Sequence, residues 1–359
     1  MKIAILANDS NGLYLFRRHL ISELIRNGNE VIALTPFGTE LEELEKLGIS
    51  LIETPMERRG TNPFKDFSLL RKYHRELKRI NPDLVVTYTI KPNVYGGIAC
   101  RLLNIPYGIN VTGMGTAFES DGILKKIAVF LNRIALKKAK VVFFENNADR
   151  DTFVDEGIVS KEITHVLNGA GVDLDYFYYQ EYPRNEVFRF LFIGRVMKEK
   201  GIGELLDAVF MLRNNGINCI LDILGEYEED YSDILKSAEK EGLIEYHGFQ
   251  SDVRPFIKKC DCFVLPSYHE GMANTNIENA SSGRPVITTN IPGCKEAVID
   301  SCSGFLCEPK SVKSLYDAML KVVSISRDER EKMGVAGRKH AEEVFDKKKV
   351  VKQTISKLL

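Results

Sequence analysis

Residues 3–35 read IAILANDSNGLYLFRRHLISELIRNGNEVIALT. Two short apolar runs, Ile3–Ala7 and Glu30–Thr35, flank a helical pattern over Tyr14–Asn27. A strand, a helix and a second strand in that order predict parallel pairing, with helices covering the sheet. Working outward, the alternation continues through strand-like runs at Ser50–Thr54, Leu84–Thr87, Tyr107–Val111 and Val141–Phe144, and a helical pattern fills Val94–Leu103. It breaks at the turn-rich segment Asn168-Gly-Ala-Gly-Val-Asp173, and the stretch Val172–Glu186 is predicted to be an interdomain linker. A second series follows at Phe188–Ile193, Cys219–Leu224, Ile244–Tyr246, Cys262–Leu265 and Val286–Thr288, with a mostly helical tail after Ser311. The fold class predicted is α/β, with two doubly wound domains at 1–172 and 186–344 facing across a cleft. The last helix, about 345–359, is expected to pack back on the first domain. In such sheets ligands sit at the carboxyl ends of the strands, so the residues just after strands carry the functional question.

Composition narrows the function classes. The chain has 359 residues, 44% apolar and 28% charged, with a formal net charge of −1. That balance argues against a nucleic-acid binder. No apolar run approaches the roughly 20 residues of a membrane span. The run Ile3–Ala7 stops at Asn8-Asp9 and reads as a buried first strand, not a signal peptide. Seven Cys fit no zinc spacing, as Cys260-x-Cys262 and Cys302-x4-Cys307 show, and read as core thiols in a reducing cytoplasm. A nicotinamide dinucleotide enzyme is disfavoured: the first βα turn reads NDSNG, and Gly113-Met-Gly115 lacks a third glycine.

Charge is uneven. Residues 57–140 hold 16 Lys/Arg against 6 Asp/Glu, a local net of +10. Much of it lies in the helix-like stretches Lys65–Arg79 and Ile123–Lys140. In the second, Ile127, Phe130, Leu131 and Ile134 recur at helical spacing among Lys125, Lys126, Arg133, Lys137 and Lys138. Such a helix either packs on its own domain or lies on an anionic membrane.

The segment most informative for chemistry is Pro266–Pro285, PSYHEGMANTNIENASSGRP. A strand leads into a loop, and a helix is expected to begin near Asn274 or Thr275, both good N-caps. Glu270 falls in the loop and Glu278 in the helix, with seven residues between them. Eight residues of helix rise about 12 Å. Paired glycosidase carboxylates stand roughly 5 Å or roughly 6.5–9.5 Å apart. Glu270 and Glu278 are therefore predicted to hold opposite ends of one long ligand, with helix-start amides between them for phosphate. A nucleotide-diphospho-sugar has that layout. A second loop, Gly194-Arg195-Val-Met-Lys198-Glu-Lys200-Gly201, follows the strand Phe188–Ile193 and offers Arg195 and Lys200 to a diphosphate.

Glu270-Gly271 through Glu278, followed by SGRPVI and IPGCKE, resembles the signature of family 4 retaining glycosyltransferases of the GT-B fold, which has two Rossmann-like domains. Gly194-Arg195 with Lys200-Gly201 resembles that family's diphosphate motif, and Asn168–Asp173 and Gly304-Phe-Leu with Pro309 agree. Thr87–Asn93 and Asn110–Gly115 resemble a subgroup acting in capsule, O-antigen and lipid-linked oligosaccharide assembly.

The resemblance implies roles. Arg195, Lys200 and Glu270 would be catalytic, with Glu270 on the donor sugar. Gly194, Glu278 (on the ribose) and the amides of Gly271, Met272, Ala273 and Asn274 would bind the donor from the second domain. Gly12, Thr112 and Gly113 would do so from the first, and Lys91, Asn93 and Asn110 would face the acceptor. Many relatives carry a His in the loop corresponding to Asn110–Gly115. None stands here, and Thr112 or the Gly113 backbone would take its place.

The reaction implied is transfer of a hexose or N-acetylhexosamine, with retention, from a UDP-sugar to a polyprenyl-diphosphate-linked sugar. The enzyme would sit peripherally on the inner, cytoplasmic face of an anionic plasma membrane. No cofactor or metal is expected, because protein cations meet the diphosphate and Asp173-Leu-Asp175 falls in the expected linker. The rival readings are a UDP-sugar 2-epimerase of the same architecture and a non-catalytic nucleotide-sugar-binding protein.

Overall fold

The protein is described here as a computed structural model covering residues 1–57, 62–115, 118 and 122–359. Its contacts divide it into two units, Met1–Ala170 together with Lys348–Leu359, and Gly171–Lys347.

The first unit is built on seven parallel strands: β1 (Lys2–Leu6), β2 (Glu30–Thr35), β3 (Ser50–Glu53), β4 (Leu84–Tyr88), β5 (Tyr107–Val111), β6 (Val141–Phe144) and β7 (Thr164–Val166). Their order is β3-β2-β1-β4-β5-β6-β7, with Ile3 opposite Val31 on one side and Leu84 on the other. Strand side chains alternate between faces, so β1 feeds two cores. Ala4 and Leu6 pack with Val85, Ile109 and the helix Pro63–Ile80. Ile3 and Ile5 pack with Leu84, Val86 and Val350 and Leu358 of the C-terminal helix Lys347–Leu358. The helix Pro63–Ile80 buries Leu69, Tyr73, Leu77 and Ile80 at helical spacing. Asn62 caps its start, Pro63 opens its first turn, and Asn81 ends it in the left-handed region.

The second unit holds six parallel strands: β8 (Phe188–Ile193), β9 (Cys219–Leu224), β10 (Ile244–Gly248), β11 (Cys262–Leu265), β12 (Val286–Thr289) and β13 (Gly304–Cys307). Their order is β10-β9-β8-β11-β12-β13. Both units thus share one plan, a doubly wound parallel sheet that reverses direction beside its first strand, and the α/β reading holds.

Three details differ from the sequence expectations. Strands β7 and β13 were not anticipated; each is short and lies at a sheet edge, where few neighbours demand a long apolar run. The segment 172–186 is no free linker. Tyr182 is buried and its hydroxyl donates to the Asp261 carbonyl (2.8 Å). The fully buried Arg284 guanidinium donates to the carbonyls of Gln180, Glu181, Ile257 and Lys258. One arginine thereby straps this segment to the second unit, satisfying carbonyls that burial would otherwise orphan. Among the cysteines, Cys302 is exposed, whereas burial pushes the thiols of Cys100 and Cys294 up to about 12.

No helix among the described residues is long and apolar enough to cross a membrane.

Candidate active site

The direction of winding in the second sheet reverses between β8 and β11, and the loops leaving those two strands meet. From the first comes Lys200, from the second Glu270, and the two form an ion pair. Ser267 Oγ also donates to Glu270 Oε1 (2.8 Å). The pair is neither surface nor core: Lys200 is 17% and Glu270 13% exposed. A carboxylate and an ammonium held this way are oriented, yet a ligand can reach both.

The loops are fixed by glycines and threonines. Gly201 (φ +70°) lies where a Cβ would overlap the Pro266 carbonyl oxygen. Gly293 (φ +84°) lies where one would overlap the Glu270 and Gly271 carbonyls. Only glycine fits such left-handed close approaches. Thr288 Oγ1 donates to the Leu265 carbonyl (2.8 Å) and Thr289 Oγ1 to that of Ser267 (2.6 Å), pinning the backbone before Glu270.

The helix after this loop runs from Asn274 to Ser281. Ala273, not Asn274 or Thr275, occupies the N-cap, and no side chain caps the end. Its first turn therefore keeps the positive character that attracts anions. The expectation for its amides is narrowed. Ala273 N donates to the Gly293 carbonyl (2.7 Å) and Asn274 N to that of Met272 (3.0 Å), so at least two of the four amides assigned to phosphate are engaged within the protein. The side chain of Met272 is buried in a small core with Val172, Ile277 and Phe345. Glu278 lies half-buried in the same helix.

Arg195 is held by Glu228 (3.0 Å). Gly194 lies beneath it, so close to Gly225 that a Cβ on the latter would overlap its carbonyl. Glu228 and Ser267 were not singled out from sequence. Glu228 reaches Arg195 from 33 residues away, where no motif marks it, whereas Ser267 stands only three residues before Glu270 and was legible within the same segment.

In the first unit, Asp9 caps the helix Ser10–Arg26 and accepts from Gly12 N (2.5 Å), so that amide is engaged within the protein. Thr112 and Gly113 (φ +131°) follow β5 and are partly exposed. Asn93 and Asn110 do not present side chains to solvent, and each is only 4% exposed. Thr87 Oγ1 donates to Asn93 Oδ1 (2.7 Å), Asn93 Nδ2 to the Asn110 carbonyl (2.7 Å), and Asn110 Nδ2 to the Thr87 carbonyl (3.2 Å). This closed network ties β4, β5 and the π-helical turn Pro92–Gly96 together and engages the side chains expected to face an acceptor within the protein. Lys91 pairs with Asp66 (2.8 Å), both largely buried.

No metal centre is apparent among the described residues. Asp222, Glu245 and His247 bring ligand atoms within 4.8 Å of one another. The Arg189 guanidinium already donates to both Asp222 oxygens and to Glu245, offsetting one of the two carboxylate charges and occupying their oxygens. The Asp173 carboxylate accepts from the amides of Asp175 and Tyr176, the usual work of an aspartate in a turn.

Two doubly wound sheets, with a cation and a carboxylate at the reversal point of the second, follow the plan of the GT-B fold. Comparison with known proteins places the chain: residues 2–146 match the family model "Glycosyl transferase 4-like" and residues 180–340 match "Glycosyl transferases group 1". The chain belongs to this glycosyltransferase group. It is 27% identical to the N,N'-diacetylbacillosaminyl-diphospho-undecaprenol alpha-1,3-N-acetylgalactosaminyltransferase of Campylobacter jejuni, over 94% of this chain and 92% of that one. It is 28% identical to the UDP-Gal:alpha-D-GlcNAc-diphosphoundecaprenol alpha-1,3-galactosyltransferase of Escherichia coli, over 74% and 72%. Its fold matches that of Anabaena HepE, solved in complex with UDP and glucose, with a TM-score of 0.82 at 18% identity over 100% of this chain and 99% of that one. It is an enzyme of sugar transfer.

Proposed function

We propose that this glycosyltransferase moves a hexose or N-acetylhexosamine, with retention, from a UDP-sugar to a polyprenyl-diphosphate-linked sugar during surface polysaccharide or glycan assembly. The observation that carries the donor half is the Lys200–Glu270 pair beside an uncapped helix start. Glu270 accepts from sugar hydroxyls, and Lys200, Arg195 and the first helical turn meet the diphosphate. Glu278 holds the ribose. The C1–O bond to the diphosphate breaks while the acceptor oxygen bonds C1 on the same face, and the departing phosphate oxygen takes the acceptor proton. The protein stabilises charge on the leaving group. No metal is needed on this account. Support for the acceptor half comes from the undecaprenyl-diphosphate substrates in the names of the Campylobacter and Escherichia relatives.

The protein works at the inner, cytoplasmic face of the plasma membrane. The helix Ile123–Leu136 turns Val129, Asn132, Ala135 and Leu136 inward and leaves Ile123, Leu124, Ile127 and Phe130 exposed among Lys125, Lys126 and Arg133. An exposed apolar stripe edged with lysine suits an anionic leaflet. Salt-sensitive binding to phosphatidylglycerol vesicles and none to phosphatidylcholine is expected; equal binding to both would remove this part.

Slow hydrolysis of nucleotide sugars without acceptor, screened across UDP-, GDP- and ADP-sugars with and without EDTA, tests the whole. A single UDP-sugar hydrolysed at an EDTA-independent rate is expected. Hydrolysis of none, or activity abolished by EDTA and restored by manganese, would overturn it.

A further inference from the structure

The first unit contains a cavity whose lining, Lys91 apart, none of the roles above uses. It measures about 390 Å³, in the range of small-ligand sites, and is lined by residues 55–57 after β3, Lys91 after β4, and Lys65, Asp66, Ser68, Leu69 and Lys72 of the helix Pro63–Ile80. That helix is the crossover from the edge strand β3 to β4, the step at which the first sheet reverses direction. The cavity therefore stands at the carboxyl edge near the reversal point, where doubly wound sheets take ligands.

Its charge is the informative part. Lys65 and Lys72 are two turns apart on one helical face, and Lys91 joins the lining from the turn after β4. Two carboxylates share the lining, Glu57 and Asp66. Asp66 is occupied: it pairs with Lys91 at 2.8 Å, and the Tyr95 hydroxyl also bonds to it. Glu57 pairs with Lys65 at the surface, where both side chains are about half exposed; such a pair contributes little and yields readily to a better anion. Lys72 Nζ gives one hydrogen to the Glu53 carbonyl (2.6 Å), leaving two of its three donors. Two ammonium groups are thus available on one wall. Beside them on the same helix, Phe64 is 87% exposed and Phe67 60%. Both lie outside the cavity lining, on the solvent side of the helix that supplies the lysines, and an exposed apolar helix face beside an anion site suits an amphiphile with an anionic head.

We propose that this cavity binds the phosphate groups of a lipid, with Lys65 and Lys72 on the phosphate oxygens and the chain leaving past the exposed Phe64 at the helix start. The identification of that lipid as the diphosphate-linked acceptor rests on the transferase reading above; the phosphate chemistry of the cavity does not. A membrane phospholipid presents the same chemistry, and the experiment separates the two sources.

The intact protein is titrated with farnesyl diphosphate, with farnesol, and with phosphatidylglycerol vesicles. The proteins compared are wild type, Lys65→Gln/Lys72→Gln and Lys65→Arg/Lys72→Arg, each first checked by thermal melting, with Lys72→Gln alone as the milder variant. The glutamine pair is expected to raise the Kd for farnesyl diphosphate at least about tenfold, as loss of two charge-assisted bonds implies, while the arginine pair restores it. Farnesol should not bind measurably. Unchanged vesicle binding alongside that loss assigns the cavity to a lipid-linked diphosphate. A loss confined to vesicles assigns it to a phospholipid head. Indifference of both probes to all three variants overturns the proposal. Hydrolysis of UDP-sugars by the wild type is read in parallel. Its absence would sink the transferase reading and leave the cavity's ligand standing.

Discussion

The two units share one plan and treat the same place differently. In the second, the loops leaving β8 and β11 bring Lys200 and Glu270 together where a ligand can reach them. In the first, the polar residues at the ends of β4 and β5 turn inward, and Thr87, Asn93 and Asn110 satisfy one another. A polar residue after a parallel strand is therefore a candidate ligand contact only if its bonding capacity is left open. Asn93 donates to and accepts from the protein and is buried. Glu270 accepts from Lys200 and Ser267 and keeps solvent access.

This contrast is open to experiment. The largest effect is expected from Lys200→Ala and Glu270→Gln, each lowering kcat at least about 100-fold, as for loss of a preorganised donor to a developing anion. Turnover near that of the wild type in both, with folding intact, would break the second-unit half of the comparison.

Next comes Gly293→Ala. Its φ of +84° and the adjoining Glu270 and Gly271 carbonyls force the backbone to move. A stability loss of about 2 kcal/mol or more is expected, read as a lowered Tm. An unchanged Tm would show that the Glu270 loop is not held as described.

Asn93→Ala should cost about 1–3 kcal/mol by leaving Thr87 and the Asn110 carbonyl unpaired. Turnover per folded molecule should stay within about threefold, which sets this variant apart from the catalytic ones. A normal Tm with transfer abolished would reverse the contrast and return Asn93 to the acceptor.

The smallest change is expected from Glu228→Gln. The Arg195–Glu228 pair is partly exposed and contributes under about 1 kcal/mol. Releasing Arg195 should lower the KM for donor about two- to threefold. A raised KM would show instead that Glu228 orients the arginine.

Much of the fold was legible along the chain because a parallel strand buried on both faces must be an apolar run, and β6 and β11 are such runs. The loop holding Glu270 was legible as well, because glycines at strand ends and two spaced glutamates leave a mark in a few consecutive residues. Strands β7 and β13 left almost none, being short edge strands.

What the linear order determined by itself was the alternation of elements, the doubly wound class, and the loop–helix junction that holds Glu270 and Glu278. Tertiary structure alone decided that 172–186 is strapped down by Arg284, that Asn93 and Asn110 close on each other, and that Lys65, Lys72 and Lys91 share one cavity. The physical reason is the range of the forces involved. Apolar periodicity acts between near neighbours in sequence and is written there. Whether a polar group is satisfied depends on partners brought from tens or hundreds of residues away, and only the folded chain says which ones arrive.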